Sequence, residues 1–148
     1  MNLIFLLYIF ALNSSHLNFE SLRREVYNLS ELDNYMLIVI NGASCSSCLK
    51  ELNEIISDIP KIDSFVAIKS KDDVILRKSL INFYKKFISP TKWLFYKDNK
   101  IIEENDFKNS PNVIIKKNKK YYVFTYNELF SRSEENSKLT ELINLLKE

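Results

Sequence analysis

Glycine, histidine and cysteine are scarce in this 148-residue sequence, and each scarcity excludes a kind of site. Gly42 is the only glycine, so the chain cannot form a glycine-rich phosphate-binding loop or a GxGxxG dinucleotide motif. His16, Cys45 and Cys48 are the only histidine and cysteines, which are too few for an ordinary four-coordinate structural zinc site. Functions that depend on these motifs are therefore disfavoured.

Net charge is also small, because 21 basic residues face 19 acidic ones and leave a formal charge of +2. This gives no electrostatic reason to expect a nucleic acid or an anionic membrane surface as a partner. The hydrophobic share of 46% and the charged share of 27% are those of an ordinary soluble globular protein. At this length we expect one folded domain and no nucleic-acid partner.

No charged residue interrupts the apolar run from Leu3 to Leu12. The run is half as long as the roughly 20 residues of a transmembrane helix, but it matches the hydrophobic region of a signal peptide. We therefore predict that residues 1–16 are a leader, either a cleaved signal peptide or an anchor that tethers the protein through residues 2–12. Residues 17–148 would form the domain, exported to the periplasm or another extracytoplasmic place. The alternative is a buried N-terminal strand or helix.

Apolar spacing predicts alternating helices and strands along the middle of the chain. The continuous apolar run Tyr35–Ile40 indicates a central strand that is buried on both faces of a sheet. Helical spacing predicts a surface helix over 19–33, an amphipathic helix over 49–59 and another over 72–87, with a short strand at 65–69. The apolar stripe of the helix at 72–87 comprises Leu76, Leu80, Phe83 and Phe87.

The last third of the sequence predicts two hairpins, at 93–102 and 113–124, and a final helix over Ser137–Lys147. This order predicts an α/β domain with a mixed central sheet and helices on both faces. Four lysines bracket the second hairpin turn and predict a solvated sheet edge that resists aggregation. They are Lys116, Lys117, Lys119 and Lys120.

The chemistry is expected where the central strand ends, at Cys45-Ser46-Ser47-Cys48. This segment should form the first turn of the following helix, with Ser44 as its N-cap. Unpaired N–H groups and the helix dipole stabilise a thiolate there, so the pKa of Cys45 should lie below the roughly 8.5 of a free thiol. Cys45 is therefore the predicted nucleophile. Cys48, one turn deeper and shielded from water, is the predicted resolving thiol.

The order of apolar strand, CxxC, helix, strand, helix, X-Pro, hairpin and terminal helix resembles the thioredoxin superfamily from about Tyr35 to the end. The hydrophobic leader and the extra chain before the last hairpin look like the exported TlpA/ResA-type branch. The resemblance implies a three-layer thioredoxin-like fold. It also implies an enzyme, a thiol-disulfide oxidoreductase, that exchanges electrons with protein partners through Cys45 and Cys48. An upstream electron donor or acceptor would reset the pair, and no dissociable cofactor would be needed.

The resemblance further implies a cis-proline packed against the disulfide, with the preceding residue pairing its backbone with the substrate. Pro111 is the preferred candidate because Ser110-Pro111 leads directly into the last hairpin, and Pro90 is the alternative. Ser44, Ser110 and Pro111 are accordingly the predicted substrate-binding residues.

The sequence departs from the family pattern at three places. Ser44 stands where many thioredoxins have tryptophan, and Ser46-Ser47 replaces the Gly-Pro of the strongly reducing members. Val39 stands where thioredoxins carry a buried acid that helps to deprotonate the resolving thiol. The direction of electron transfer therefore cannot be carried over from the family.

Other interpretations of the same residues stay open. The two cysteines could form a structural disulfide, or they could carry Cu(I), with Met1, Met36 and His16 as the only further soft or imidazole ligands. A third alternative is a non-enzymatic binding module that presents an aromatic surface. Its residues would be Trp93, Phe95 and Tyr96, although aromatic residues at strand spacing are more often core.

Overall fold

The computed structural model of the chain describes residues 18–59, 61–98, 109–130 and 137–148. These ranges leave out the predicted leader at 1–16, which includes Met1 and His16. They also leave out the second arm of the first predicted hairpin. Within the described ranges, no helix is both long enough and apolar enough to cross a membrane.

Seven strands, four α-helices and one 3-10 helix make up the described part of the chain. In chain order they are β1 (Asn18–Glu20), β2 (Val26–Asn28), the 3-10 helix (Leu29–Glu31), β3 (Tyr35–Ile40), α1 (Ser46–Asp58), β4 (Asp63–Lys69), α2 (Val74–Tyr84), β5 (Lys92–Tyr96), β6 (Asn112–Lys117), β7 (Lys120–Phe124), α3 (Tyr126–Phe130) and α4 (Ser137–Lys147). The strands form one sheet in the order β2-β1-β5-β4-β3-β6-β7. Strands β3, β4 and β5 are parallel, whereas β6 runs antiparallel to β3 and β7 antiparallel to β6. The predicted mixed sheet is confirmed.

Strand β3 lies inside the sheet, between β4 and β6, and all six of its side chains are fully buried. Alternate side chains enter two separate cores, with Met36, Ile38 and Ile40 in one and Tyr35, Leu37 and Val39 in the other. This explains why the strand shows no polar alternation. A strand covered on both faces has no position at which a polar side chain would meet water.

The two cores are covered by different elements. All four α-helices supply side chains to the core that contains Ile38. On the opposite face, Leu29 of the 3-10 helix and Phe19 of β1 join Leu37. In the described part of the chain, all four α-helices therefore cover one face, and the predicted helix on the opposite face is represented by the 3-10 helix, together with the short N-terminal strands.

The predicted helix over 19–33 is wrong, because this segment forms β1, β2 and the 3-10 helix. Glu20 pairs with Phe95 of β5, and the turn between β1 and β2 places Arg24 in the left-handed region at φ 66°. Phe19 is drawn into the core, whereas Val26 of the predicted helical stripe is exposed. The decisive contact is pairing with a distant strand, which local spacing does not encode.

Helix α2 is shorter than predicted and buries a different face. It begins after Asp73, whose carboxylate accepts hydrogen bonds from the backbone N–H groups of Ile75 and Leu76. Arg77 and Tyr84 are its buried side chains, while Leu76 and Phe83 of the predicted stripe are exposed. The predicted stripe is therefore only partly correct.

The second hairpin and the terminal helix are confirmed, but the lysine prediction is only partly right. Lys119 and Lys120 are exposed, as expected for a solvated edge. Lys116 is instead buried and donates a hydrogen bond to the Ser30 carbonyl at 2.8 Å. Lys117 donates to the Leu145 carbonyl at 2.7 Å, near the end of α4. Long lysine stems reach beyond the strand, and helix-end carbonyls lack partners within the helix.

Candidate active site

The loop after β3 brings the two cysteines together as a disulfide, with their Cα atoms 5.3 Å apart. The chain leaves β3 through Gly42, whose φ of +78° lies in the left-handed region that favours glycine. Apart from Gly42 and its two chain neighbours, no residue has a heavy atom within 4 Å of the position that a Cβ would take at Gly42. The only glycine is therefore suited to this loop by its backbone conformation rather than by lack of space.

Helix α1 is capped by Cys45, so the prediction that Ser44 is the N-cap is wrong. The Cys48 backbone N–H donates to Cys45 Sγ at 3.3 Å, which gives sulfur the position of a capping oxygen. Ser44 instead forms a parallel backbone bridge with Ser110. Its hydroxyl oxygen is buried and has no hydrogen-bond partner in the described part of the chain. Pairing with Ser110 holds Ser44 outside the helix start.

The two cysteines differ in their exposure. Cys48 is 7% exposed, whereas Cys45 is partly exposed. The Ser47 hydroxyl oxygen lies 3.3 Å from Cys45 Sγ. If the disulfide is reduced, the Ser47 hydroxyl and the Cys48 backbone N–H are placed to donate to the more accessible sulfur. Such donors stabilise a thiolate.

The segment before β6 lies directly against the disulfide loop. The Cys45 backbone N–H donates to the Ser110 carbonyl at 3.3 Å, and the Ser110 hydroxyl donates to the Ala43 carbonyl at 2.9 Å. The Ser110–Pro111 peptide bond is cis and Pro111 is buried, whereas the bond before Pro90 is trans. The structure thus brings Ser44, Ser110 and Pro111 to the site and decides between the two prolines.

Comparison with known structures finds the same architecture in several proteins. A secreted Mycobacterium tuberculosis disulfide oxidoreductase homologous to E. coli DsbE matches with a TM-score of 0.59 and 11% identity, over 87% of this chain and 95% of that chain. A thioredoxin-like protein from Porphyromonas gingivalis matches with a TM-score of 0.61 and 11% identity, over 90% and 91%. A thioredoxin-like protein from Aeropyrum pernix matches with a TM-score of 0.56 and 14% identity, over 87% and 88%.

The chain has a thioredoxin-like fold. This confirms the fold that the sequence resemblance implied. No protein-family model matches the sequence, and no curated protein matches it either. At these identities the likeness shows the fold alone.

Two tyrosines that the sequence analysis did not assign to the site bind the chain just before the disulfide of this thioredoxin-like domain. The Tyr84 hydroxyl of α2 donates to the Gly42 carbonyl at 3.2 Å, and the Tyr96 hydroxyl of β5 donates to the Ile40 carbonyl at 3.4 Å. Burial raises the pKa of Tyr84, which keeps this hydroxyl protonated as a donor. Their partners are backbone carbonyls, so no side-chain pattern in the sequence points to them.

Asn112 fixes the proline segment in a similar way. Its side-chain nitrogen donates to the Asn109 carbonyl at 2.7 Å, and its side-chain oxygen accepts from the Tyr126 backbone N–H at 2.8 Å. Asn112 is almost fully buried. It therefore ties the loop that carries Pro111 to the start of α3, a short helix that the sequence analysis also missed.

Met36, Phe95 and Tyr96, which carry part of the alternative interpretations, are buried. Met36 is fully buried in the core with Ile38, so it is not available beside the sulfurs as a copper ligand. The described ranges contain no group of three or more His, Cys, Asp or Glu residues arranged to hold a metal ion. Phe95 and Tyr96 are buried and Trp93 is partly buried, which confirms the core interpretation of these aromatic residues.

Proposed function

We propose that this domain is a thiol-disulfide oxidoreductase that exchanges electrons with protein partners through Cys45 and Cys48. The observation that carries the proposal is the arrangement of the disulfide at the start of α1. One sulfur is partly exposed beside two hydrogen-bond donors, and the other is buried one turn deeper. This arrangement separates an attacking thiol from a resolving one.

The exchange proceeds in two steps that balance without a cofactor. In the reducing direction, the Cys45 thiolate attacks one sulfur of a partner disulfide, forms a mixed disulfide and releases the partner's other sulfur as a thiolate. The Cys48 thiolate then attacks Cys45 Sγ, which forms the Cys45–Cys48 disulfide and releases the second partner thiolate. The partner gains two electrons and the domain loses two. An upstream thiol donor restores the reduced pair, and the oxidising direction reverses each step.

The partner polypeptide binds along the rim formed by Ser44, Ser110 and Pro111. Backbone contacts join the Cys45 segment to Ser110, so the two segments form one continuous border beside the reactive sulfur. A cysteine presented along this border would lie next to Cys45. This assignment is supported by position and by the thioredoxin-like fold.

An equilibrium with glutathione tests the proposed function. The protein is incubated with defined ratios of reduced and oxidised glutathione, and the free thiols are counted by alkylation and mass spectrometry. We expect Cys45 and Cys48 to be reduced together at a potential between about −270 and −120 mV, the range of redox-active members of this fold. A structural disulfide resists reduction to below about −300 mV, and that result would overturn the proposal.

The domain acts outside the cytoplasm, with residues 1–16 as a leader and residues 17–148 as the folded unit. The apolar run from Leu3 to Leu12 supports this location, as does the secreted mycobacterial protein with the same fold.

A reporter fusion tests the location. Residues 1–20 are placed before an alkaline phosphatase that is active only after export from a bacterial cytoplasm. We expect phosphatase activity from the fusion, and loss of activity when Leu6 and Leu7 are replaced by arginine, because charges disrupt the hydrophobic region of a signal peptide. An inactive native fusion would assign the segment to the folded domain instead.

A further inference from the structure

An exposed aromatic ring lies near the C-terminal end of α2, next to Tyr84. Phe83 is 50% exposed, and it is the only aromatic residue among the large exposed hydrophobic residues of the described ranges. Its ring packs edge-on against Tyr84, with centroids 5.1 Å apart, and against Phe87, with centroids 5.6 Å apart. Phe83 thus belongs to a cluster of three aromatic side chains, in which two neighbouring rings hold it in place. We call Phe83 and Phe87 the α2 patch.

The α2 patch and the neighbouring Tyr84 contact the chain on both sides of the disulfide. The Tyr84 hydroxyl donates a hydrogen bond to the carbonyl of Gly42, which is three residues before Cys45. Lys50, five residues after Cys45, places its Nζ 5.6 Å from the centre of the Phe87 ring. Only a few residues of chain separate Cys45 from Gly42 and from Lys50. Because so short a chain spans a limited distance, these contacts place Phe83 at most about 25 Å from Cys45. A standard interface of about 800 Å² per partner is about 30 Å across, so it can include both.

Exposed lysines lie around the α2 patch, and on its α2 side no acidic residue accompanies them. Lys50, Lys85 and Lys86 are all exposed. No aspartate or glutamate occurs between Val74 and Lys97, whereas α1 carries the exposed Glu51 and Glu54. The α2 side of the patch is therefore basic, which complements an acidic partner surface.

We propose that the α2 patch is a docking surface for the protein that exchanges electrons with Cys45. The partner carries an apolar side chain flanked by acidic residues close to its reactive cysteine. The apolar side chain packs on Phe83, and the acidic residues face Lys85 and Lys86. This inference rests on the proposed function, and it names the chemistry of the partner.

The test compares Phe83→Ala with Ile75→Ala as the matched control. Ile75 lies on the same helix and is 78% exposed, but it is at the opposite end from Phe83. Two disulfide probes are used: the small neutral 2-hydroxyethyl disulfide, and a short synthetic disulfide peptide with leucine, aspartate and glutamate beside its cysteines. The reduced protein is mixed with each probe, and the second-order rate constant is measured.

We expect Phe83→Ala to slow the reaction with the acidic peptide about tenfold, because an aromatic anchor at an interface often contributes this much. The reaction with 2-hydroxyethyl disulfide should change by less than about twofold, as should both reactions of Ile75→Ala. Equal slowing of both probes by Phe83→Ala, or no slowing of either, would overturn the docking surface. Failure of the wild-type protein to react with either probe would instead overturn the proposed function.

A charge exchange gives a second, independent readout. The double variant Lys85→Glu, Lys86→Glu should react more slowly with the acidic peptide and faster with a peptide in which lysine replaces aspartate and glutamate. Added salt should reduce both differences, because it screens exposed charges. Unchanged rates with both peptides would contradict an acidic partner.

Discussion

Replacing Cys48 with serine should convert the protein into a trap that holds its partners as mixed disulfides on Cys45. The first attack needs only Cys45, which is partly exposed and keeps the Ser47 hydroxyl within 3.3 Å. The second attack needs the sulfur of Cys48, which a serine hydroxyl cannot replace at neutral pH. Because the resolving attack is intramolecular, its loss should slow release by at least about a hundredfold.

The trap is read by non-reducing electrophoresis followed by mass spectrometry of the adducts, using the variant expressed in its own cells or incubated with oxidised glutathione. Cys45→Ser is the matched control, since it leaves Cys48 as the remaining thiol. We expect few adducts on that variant because Cys48 is only 7% exposed. Adducts that accumulate on Cys45→Ser and not on Cys48→Ser would reverse the assigned roles.

Replacing Arg77 with alanine should cause a large loss of stability, about 3 kcal/mol or more in the free energy of unfolding. Arg77 is fully buried although it is charged, and its guanidinium lies 2.8 Å from a Glu20 carboxylate oxygen. It also donates to the carbonyls of Lys71 and Ser21, and it stacks 4.9 Å from the centre of the Phe95 ring. The variant would lose all of these contacts and leave the space of a fully buried side chain unfilled.

Urea unfolding with the disulfide intact measures this loss. Lys138→Ala is the control because Lys138 forms an exposed ion pair with Glu141, and such pairs contribute about 0.5 kcal/mol or less. Arg77→Lys should recover only part of the loss, since one ammonium group cannot replace the planar guanidinium fork. If the free energy of unfolding of Arg77→Ala were within about 1 kcal/mol of the wild-type value, the contacts of Arg77 would not be a main source of stability between β1 and α2.

Arg77 also shows why one part of the fold could not be predicted. It lies on a helix whose apolar spacing favoured Leu76 and Phe83 as the buried positions, yet both are exposed. The true buried face is set by Glu20 of β1, which is more than fifty residues earlier in the chain. Since the segment that holds Glu20 was itself predicted as helix, no local pattern could have identified the pair.

The sequence by itself determined the elements and the chemistry that depend on neighbouring residues. Strand β3, helix α1 and helix α4 follow from apolar spacing, and the disulfide follows from two cysteines three residues apart at a helix start. Only the tertiary structure decided that Cys45 caps the helix, that Ser110 lies against Cys45 and that Tyr84 holds Gly42. The physical reason is that these contacts involve backbone groups, which are alike at nearly every residue. Which distant backbone groups meet is decided by how the whole sheet and its helices pack.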